Sequence, residues 1–346
     1  MNVYILNTSF EKVAVVDTYQ SLIWTKRYYE PGDFELYIPA DVSLLQYLKQ
    51  DYYVIRDDDE RVMIIEKIEI KTDAENGDYF IVTGRSLESI LARRIIWTQF
   101  NWSGTNTNVV TMIYNLLSQN VISPDNLSTY RKIPNFTAET PPLTKTATIN
   151  LQRRGDTLQE FITEIAKEFG IGWKITLSGS TMKFAMFEGS ESIATFSYEY
   201  DNLLNTDYVN DKTNYKNAAL ILGEGEGTAR KSQYITPTAT GLNRREVYID
   251  ARDISSNDGE ITSAEYYQKL KQRGVDKMTE FVASETFEGE IEPSTTFLYK
   301  KDYNLGDIVT VKNQYGIEAH PRIVEIIENF DDTGYKVVPA FETWEV

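Results

Sequence analysis

Residues 33–38 read Asp-Phe-Glu-Leu-Tyr-Ile, so Phe34, Leu36 and Ile38 alternate with Asp33, Glu35 and Tyr37. A period of two sends one row of side chains into a core and the other outward, the pattern of a strand with one buried face. The neighbouring segments are of the same kind. Asn2–Asn7, Lys12–Val16, Trp24–Tyr29, Tyr52–Arg56, Val62–Ile70 and Tyr79–Thr83 are short runs rich in Val, Ile, Tyr and Phe. Pro31-Gly32, Asp57-Asp58-Asp59-Glu60 and Asn76-Gly77-Asp78 punctuate them as turns. Strands so closely spaced predict a barrel or sandwich, with one short helix capped by Asp41 and carrying Leu44, Leu45 and Leu48.

The middle of the chain changes character. Ser86 is placed to cap a short helix through Leu91, and Val109, Met112, Ile113 and Leu116 mark one face of a helix over Thr107–Ser118. Ser123–Pro142, rich in Pro, Asn, Ser and Thr, reads as an irregular surface excursion. The clearest helix follows, with Asp156 as cap, Gln159 three residues on, an apolar stripe of Leu158, Phe161, Ile162, Ile165 and Phe169, and Gly170 as its stop. Trp173–Leu177 and Met182–Phe187 form a hairpin around Ser178-Gly179-Ser180. Beyond Leu203 strands dominate again, except for a helix opened by Thr262 and Glu265, whose centre Gly274 weakens by roughly 1 kcal/mol relative to Ala. Ile308–Val311, Ile317–Ile327 and Tyr335–Val338 close the chain as strands. The expectation is an α+β fold, mainly β: a barrel-like domain over 1–95, an inserted α/β lobe over 96–200, and a second barrel-like domain with one long helix over 201–346.

Composition removes much chemistry. The 346 residues contain no cysteine, which excludes disulfides, zinc–thiolate sites and cysteine nucleophiles, and a single histidine, His320, excludes His-His metal sites. No apolar run reaches the length of a membrane span, and Met1–Phe10 lacks the basic start and apolar stretch of a signal peptide. A net charge of −17 disfavours a DNA binder, since phosphate affinity comes from clustered Lys and Arg. It suits solubility, and equally a channel through which DNA passes without being held.

Local motifs point away from catalysis. Gly223-Glu224-Gly225-Glu226-Gly227 follows an apolar strand, but its glycine spacing is wrong for a dinucleotide fold and two glutamates stand where an anion would approach. Glu285, Glu288, Glu290 and Glu292 are candidates for a glycosidase pair, although alternation with Gly289 and Ile291 fits the polar face of a strand. Asp57–Glu60 invites calcium but lacks the spacing of a calcium loop and reads as an exposed turn. His320, before Pro321, has no triad partner at recognisable spacing and reads as a strand or loop residue. Of the 23 tyrosines, the pairs Tyr28-Tyr29, Tyr52-Tyr53 and Tyr266-Tyr267 each allow one buried and one outward ring; strand propensity and an oligomeric interface both account for the surplus. No catalytic, cofactor or metal residue is assigned.

Four segments carry a resemblance. Trp24-Thr25-Lys26-Arg27-Tyr28-Tyr29-Glu30-Pro31-Gly32-Asp33-Phe34-Glu35-Leu36, Val82-Thr83-Gly84-Arg85-Ser86-Leu87, Gly223-Glu224-Gly225-Glu226-Gly227 and Tyr303-Asn304-Leu305-Gly306-Asp307-Ile308-Val309 stand in this order. Together they resemble the siphovirus Gp37-like tail proteins, relatives in architecture of the central hub proteins of phage tails. The resemblance implies a structural hub protein, not an enzyme, at the tail tip of a virion assembled in the bacterial cytoplasm. It implies a homotrimer whose paired barrel domains make a pseudo-hexameric ring. Its partners would be a distal tail or tail-tube protein and tip or fibre proteins, with DNA only in transit through the lumen and no cofactor. A carbohydrate- or receptor-binding tail module is the alternative, and a cell-wall hydrolase the third reading.

Overall fold

The computed structural model describes residues 1–72, 77–124, 128–138, 143–236, 238–256, 261–291, 296–342 and 344–345. The chain forms two compact units, Met1–Thr206 with Gly289–Glu342, and Asp207–Glu288 with Thr343–Val346. The first unit opens with β1 (Val3–Leu6), β2 (Lys12–Val16), β3 (Ser21–Arg27), β4 (Asp33–Pro39), a single helical turn α1 (Val42–Leu45), β5 (Tyr53–Arg56), β6 (Val62–Ile64), β7 (Lys67–Lys71) and β8 (Tyr79–Arg85). Strands β2-β1-β5-β6 form one antiparallel sheet and β3-β4-β8-β7 belong to another. The run expected as one strand over Val62–Ile70 is two, one in each sheet. Ile65 donates to the Tyr52 carbonyl at 2.8 Å while Glu66 donates to that of Thr83 at 3.0 Å, so the chain changes sheets between them. Such a switch makes the corner of a sandwich. Val3, Ile5 and Val54 from one sheet meet Leu22, Trp24, Phe34, Leu36, Ile38, Phe80 and Val82 from the other in one buried cluster. Each such side chain contributes roughly 1.5–3 kcal/mol. Asp41 caps α1 as expected, accepting the Ser43 N–H at 2.7 Å.

A 3₁₀ segment, Leu87–Arg93, leads into β9 (Phe100–Asn108), α2 (Val109–Leu117), α3 (Ser128–Arg131), β10 (Phe136–Ala138), β11 (Thr146–Arg153), α4 (Leu158–Phe169), β12 (Gly172–Ser178), β13 (Thr181–Phe187) and β14 (Glu191–Ser197). The Ser86 hydroxyl does not cap that segment; it accepts the Gly32 N–H at 2.8 Å. Thr157, not Asp156, caps α4, exchanging hydrogen bonds with Glu160 in a complete capping box. The helix ends at Gly170 in the left-handed region, φ 64°. The excursion over Ser123–Pro142 holds α3 and β10, which adds in parallel to β13; residues 125–127 and 139–142 lie outside the described residues, as does Asn76 of the expected Asn76-Gly77-Asp78 turn.

β15 (Leu203–Asp211) carries the chain into the second unit, with β16 (Ala218–Leu222), β17 (Ser232–Ile235), β18 (Glu246–Asp250), α5 (Ser263–Met278) and β19 (Ser284–Ile291). Central β16 runs antiparallel to β17 and parallel to β18. Ala219, Ile221, Ile249 and Ala251 of this layer cluster with Tyr266 and Leu270 of α5. The expected Thr262–Glu265 capping box is present. Gly274 is buried, and a Cβ there would stand 2.7 Å from Ile221 Cδ1. The helix needs glycine at this point to lie down on its sheet.

β20 (Ile308–Lys312), β21 (Glu318–Ala319), β22 (Ile323–Asp331) and β23 (Gly334–Phe341) return to the first unit, and β24 (Trp344–Glu345) pairs with β19 in the second. β22 lies antiparallel to β3 from Glu325↔Arg27 to Asp331↔Ser21, which extends the second sheet to six strands, β23-β22-β3-β4-β8-β7. Segments from both ends of the chain thus share one sheet of the first unit. A ladder joining residues about three hundred positions apart has no local signature in a sequence. The molecule is α+β and mainly β, with 44% strand against 21% helix. Among the described residues no helix is long and apolar enough to cross a membrane.

Candidate functional site

Charged side chains are buried where β3, β5 and β22 meet. Lys26 Nζ lies 2.6 Å from Asp59 Oδ2 and 2.6 Å from Glu328 Oε2, with all three side chains at most 5% exposed. Arg56 donates to Glu328 at 3.1 Å and to both oxygens of Asp58 at 2.8 and 2.9 Å. Its guanidinium lies 4.5 Å from the centre of the Phe330 ring and 5.3 Å from that of Trp24. Lys300 reaches Asp59 Oδ2 at 3.2 Å, and Tyr335 donates to Glu328 at 2.9 Å. Burial alone would raise the carboxyl pKa values, but Lys26 beside Asp59, and Lys26 with Arg56 beside Glu328, hold both below their ordinary range. Burial pushes the Tyr299 and Tyr335 hydroxyls up, and the Glu328 charge adds to it. Nearby, Arg61 pairs with the fully buried Glu88, which also accepts the Ile175 N–H at 3.1 Å.

A cleft of about 460 Å³ opens beside the cluster, lined among others by Lys26, Asp59, Lys174, Tyr299 and Lys300. Lys174 faces Glu60 at 2.5 Å, so the cations named here are each met by a carboxylate already. The arrangement locks chain segments together; it does not leave a charge poised for a substrate. Asp57, Asp58 and Glu60 of the turn are exposed as expected, whereas the Asp59 side chain turns inward and is buried, and all four carboxylates are engaged. Asp57 accepts from Asn2, Asp58 from Arg56, Asp59 from Lys26 and Lys300, and Glu60 from Lys174. Among the described residues no group of three or more His, Cys, Asp or Glu side chains is placed to hold a metal ion.

A second junction forms around Tyr28, at the end of β3. Its ring is fully buried, and its hydroxyl lies 3.3 and 3.2 Å from the carbonyls of Gly170 and Phe187 while accepting the Gly189 N–H at 3.3 Å. A Cβ at Gly172 or at Gly306 would stand 2.3 Å from Tyr28 Cε2. Arg322 lies over the same ring at 5.3 Å and donates to the Gly306 carbonyl at 2.6 Å. Tyr29 is also buried, its hydroxyl donating to Glu342 at 2.7 Å and its carbonyl accepting from Trp173 Nε1 at 2.5 Å. The expectation of one inward and one outward ring fails here, because both rings fill the junction. Residues 24–36, 82–87 and 303–309 of the sequence resemblance all lie in this unit, and the first and third meet at Tyr28 and Gly306.

The remaining candidates separate. Glu285 accepts from the Tyr208 hydroxyl at 2.5 Å, whereas Glu292 and the side chains of Glu288 and Glu290 lie outside the described residues. His320 is exposed, 3.3 Å from Thr310 Oγ1 and 3.5 Å from Glu318. In the glycine-rich loop a Cβ on Gly223 would stand 2.2 Å from the Tyr266 hydroxyl, which accepts the Glu224 N–H at 2.8 Å. Glu224 itself binds Lys231 at 2.6 Å and the Ser256 N–H at 2.9 Å, and these hydrogen bonds hold its pKa at about 2. The loop is a packing device. Sequence reading missed Lys26, Arg56 and Glu328, although each stands two residues after a buried apolar side chain of its own strand, Trp24, Val54 and Ile326, so that the period of two places it on the inward face; only their charge argued for the outward one.

Comparison with known proteins gives a consistent answer. Residues 2–341 match the family described as Siphovirus ReqiPepy6 Gp37-like protein. A search of the curated proteins finds no match. Among solved structures the fold is similar to a tail protein from Neisseria meningitidis MC58, with TM-score 0.56, 14% identity and coverage of 99% of this chain and 96% of the other. The 43 kDa tail protein of prophage MuSo2 from Shewanella oneidensis gives 0.55, 15%, 99% and 98%. The prophage tail protein gp18 from Listeria monocytogenes gives 0.54, 10%, 98% and 94%. Identities this low speak for the fold alone, whereas the family match spans nearly every residue. The chain belongs to the siphovirus Gp37-like family of phage tail proteins.

Proposed function

We propose that the chain is a structural hub subunit at the tail tip, assembling as a homotrimer into a pseudo-hexameric ring around a bore through which DNA passes. Its neighbours would be a distal tail or tail-tube protein on one side and tip or fibre proteins on the other, and its role is architectural, not enzymatic. The family match over residues 2–341 carries this reading. The sheet edges supply a means of assembly. β2 ends one sheet, and β7 and β23 end the other. Each edge carries a large apolar or aromatic side chain about half exposed: Val15 at 51%, Ile70 at 54% and Tyr335 at 50%. Open edges with such side chains are a liability in a monomer and are covered by neighbours in a ring. The net charge of −17 suits a bore that does not trap a polyanion.

Light scattering across a concentration series tests the reading. A particle of three subunits, each of 39.8 kDa, is expected, and Val15→Lys with Ile70→Lys should return it to single subunits without changing the far-ultraviolet circular dichroism. A chain that remains single at high concentration, and still does so when mixed with the tail-tube protein of its own phage, would reject the ring.

A further inference from the structure

A cleft of about 500 Å³ in the first unit combines features that the packing of the fold leaves unexplained. Its floor is apolar, from Ile90, Ile133 and Met182, all less than 10% exposed. One wall is aromatic: the Phe10 ring stacks on Tyr53 with centroids 4.6 Å apart and planes at 28°. Arg93 and Arg94 line the same cleft.

Arg93 is paired with Asp51 at 2.9 Å. Arg94 donates only to backbone, to Arg131 O from Nε and to Arg93 O from Nη1, both at 2.9 Å. Its Nη2 has no acceptor among the described residues, and no described carboxylate reaches it. Beside it Arg131 is buried, donating from Nη2 to Ile95 O at 2.9 Å and to Asn120 Oδ1 at 3.1 Å. It too has no carboxylate partner among the described residues. Two guanidiniums thus stand close together with no carboxylate partner among the described residues, and Arg94 lines the cleft.

The backbone at the cleft is also held under constraint. Phe10 adopts φ +63° and Asn135 φ +55°, both in the left-handed region, and both line the cleft. A bulky residue such as Phe is costly there. Hydrogen bonds hold each in place: Phe10 N–H to Asn7 O at 2.9 Å, and Met182 N–H to Asn135 O at 2.8 Å. The Phe10 ring is thereby presented at the cleft wall by a conformation its own backbone disfavours.

We infer that this cleft binds a phosphorylated sugar or polyol unit. A guanidinium fork matches phosphate oxygens, an aromatic wall and apolar floor match the C–H faces of a sugar or polyol, and Ser9, Ser180 and Asn135 can meet its hydroxyls. The cleft takes one or two such units. A long nucleic acid would meet the field of the whole −17 chain, so the charge balance favours a short segment in a local positive site. The inference stands apart from ring assembly and holds whether the chain is single or trimeric.

Titration calorimetry on the full chain tests it, with glucosamine 6-phosphate, glycerol 3-phosphate, short poly(glycerol phosphate), glucosamine, inorganic phosphate and an octathymidylate as probes. Saturable binding of the phosphorylated compounds is expected, with none for glucosamine and weaker binding of inorganic phosphate. Tighter binding of poly(glycerol phosphate) than of the monomers would identify a polymer as the source; equal binding would identify a soluble sugar or polyol phosphate. Arg94→Gln should weaken binding about tenfold or more, as expected on losing a charge-assisted hydrogen bond. Phe10→Leu, which keeps an apolar side chain at the cleft wall without the aromatic face, gives an independent second variant and should also weaken binding. Lys167→Gln, on α4, should change nothing. Absence of binding, equal affinity for inorganic phosphate, preference for the oligonucleotide, or unaltered affinity in both cleft variants would each overturn the inference.

Discussion

Gly306 combines two constraints at one residue. Its φ of +97° lies where an L side chain is strained, and any Cβ would enter the Tyr28 ring. Gly306→Ala should therefore cost about 2–5 kcal/mol, the sum of backbone strain and overpacking. Tyr28→Phe removes only a hydroxyl that serves Gly170, Phe187 and Gly189, and should cost about 1–2 kcal/mol. Urea titrations followed by tryptophan emission separate the two, and a Gly306→Ala protein as stable as the parent would show that the junction yields easily. This is also where sequence reading succeeded without understanding. The segments holding Tyr28 and Gly306 were recognisable as family features, but nothing in either indicated that one is the socket of the other.

At the scale of elements, local signals fared well wherever the information was local. The alternation of Phe34, Leu36 and Ile38 gave β4 and its buried face, and Thr262 with Glu265 gave the start of α5. For α4 the cap lies one residue beyond the expected Asp156, because Thr157 and Glu160 can exchange both hydrogen bonds of a capping box. The pair β9 and β11 went unread. Their ladder runs from Phe100↔Arg153 to Asn108↔Thr146, and most side chains of β9 are exposed or half-buried, so no apolar period announces it. Gly274 shows the limit of propensity. Helix tables expect Gly274→Ala to stabilise α5 by about 1 kcal/mol. The 2.7 Å approach to Ile221 predicts a loss of about 1–3 kcal/mol instead, because α5 would have to lift from its sheet. Thermal melting of Gly274→Ala alone and with Ile221→Val checks this: the smaller side chain should recover part of the loss, and a rise in melting temperature for the single variant would refute it.

At the scale of the whole molecule, the buried charges couple segments that the chain keeps far apart: Lys26 in β3, Asp59 after β5, Lys300, and Glu328 in β22. Their protonation should therefore set the pH range in which the first unit stays folded. Asp59 and Glu328 have folded-state pKa values below the unfolded value of about 4. Their contribution is fully present above that value and is lost as pH falls through the folded values, when the unfolded chain takes up protons first. Tyr299 and Tyr335 have folded pKa values raised above about 10, so what they contribute is present below pH ~10 and is lost as pH rises beyond it. Stability should form a plateau between pH about 5 and 9 with a fall on either side. Tryptophan emission reports mainly this unit, since four of the five tryptophans, Trp24, Trp97, Trp102 and Trp173, belong to it. Glu328→Gln leaves Lys26 and Arg56 short of one buried counter-charge and should cost about 3–5 kcal/mol on the plateau. The same variant should also lose part of the acid slope, because one of the groups that titrates there is gone. An acid slope unchanged in Glu328→Gln would mean that other carboxylates govern acid unfolding and that the cluster does not join the two ends of the chain energetically.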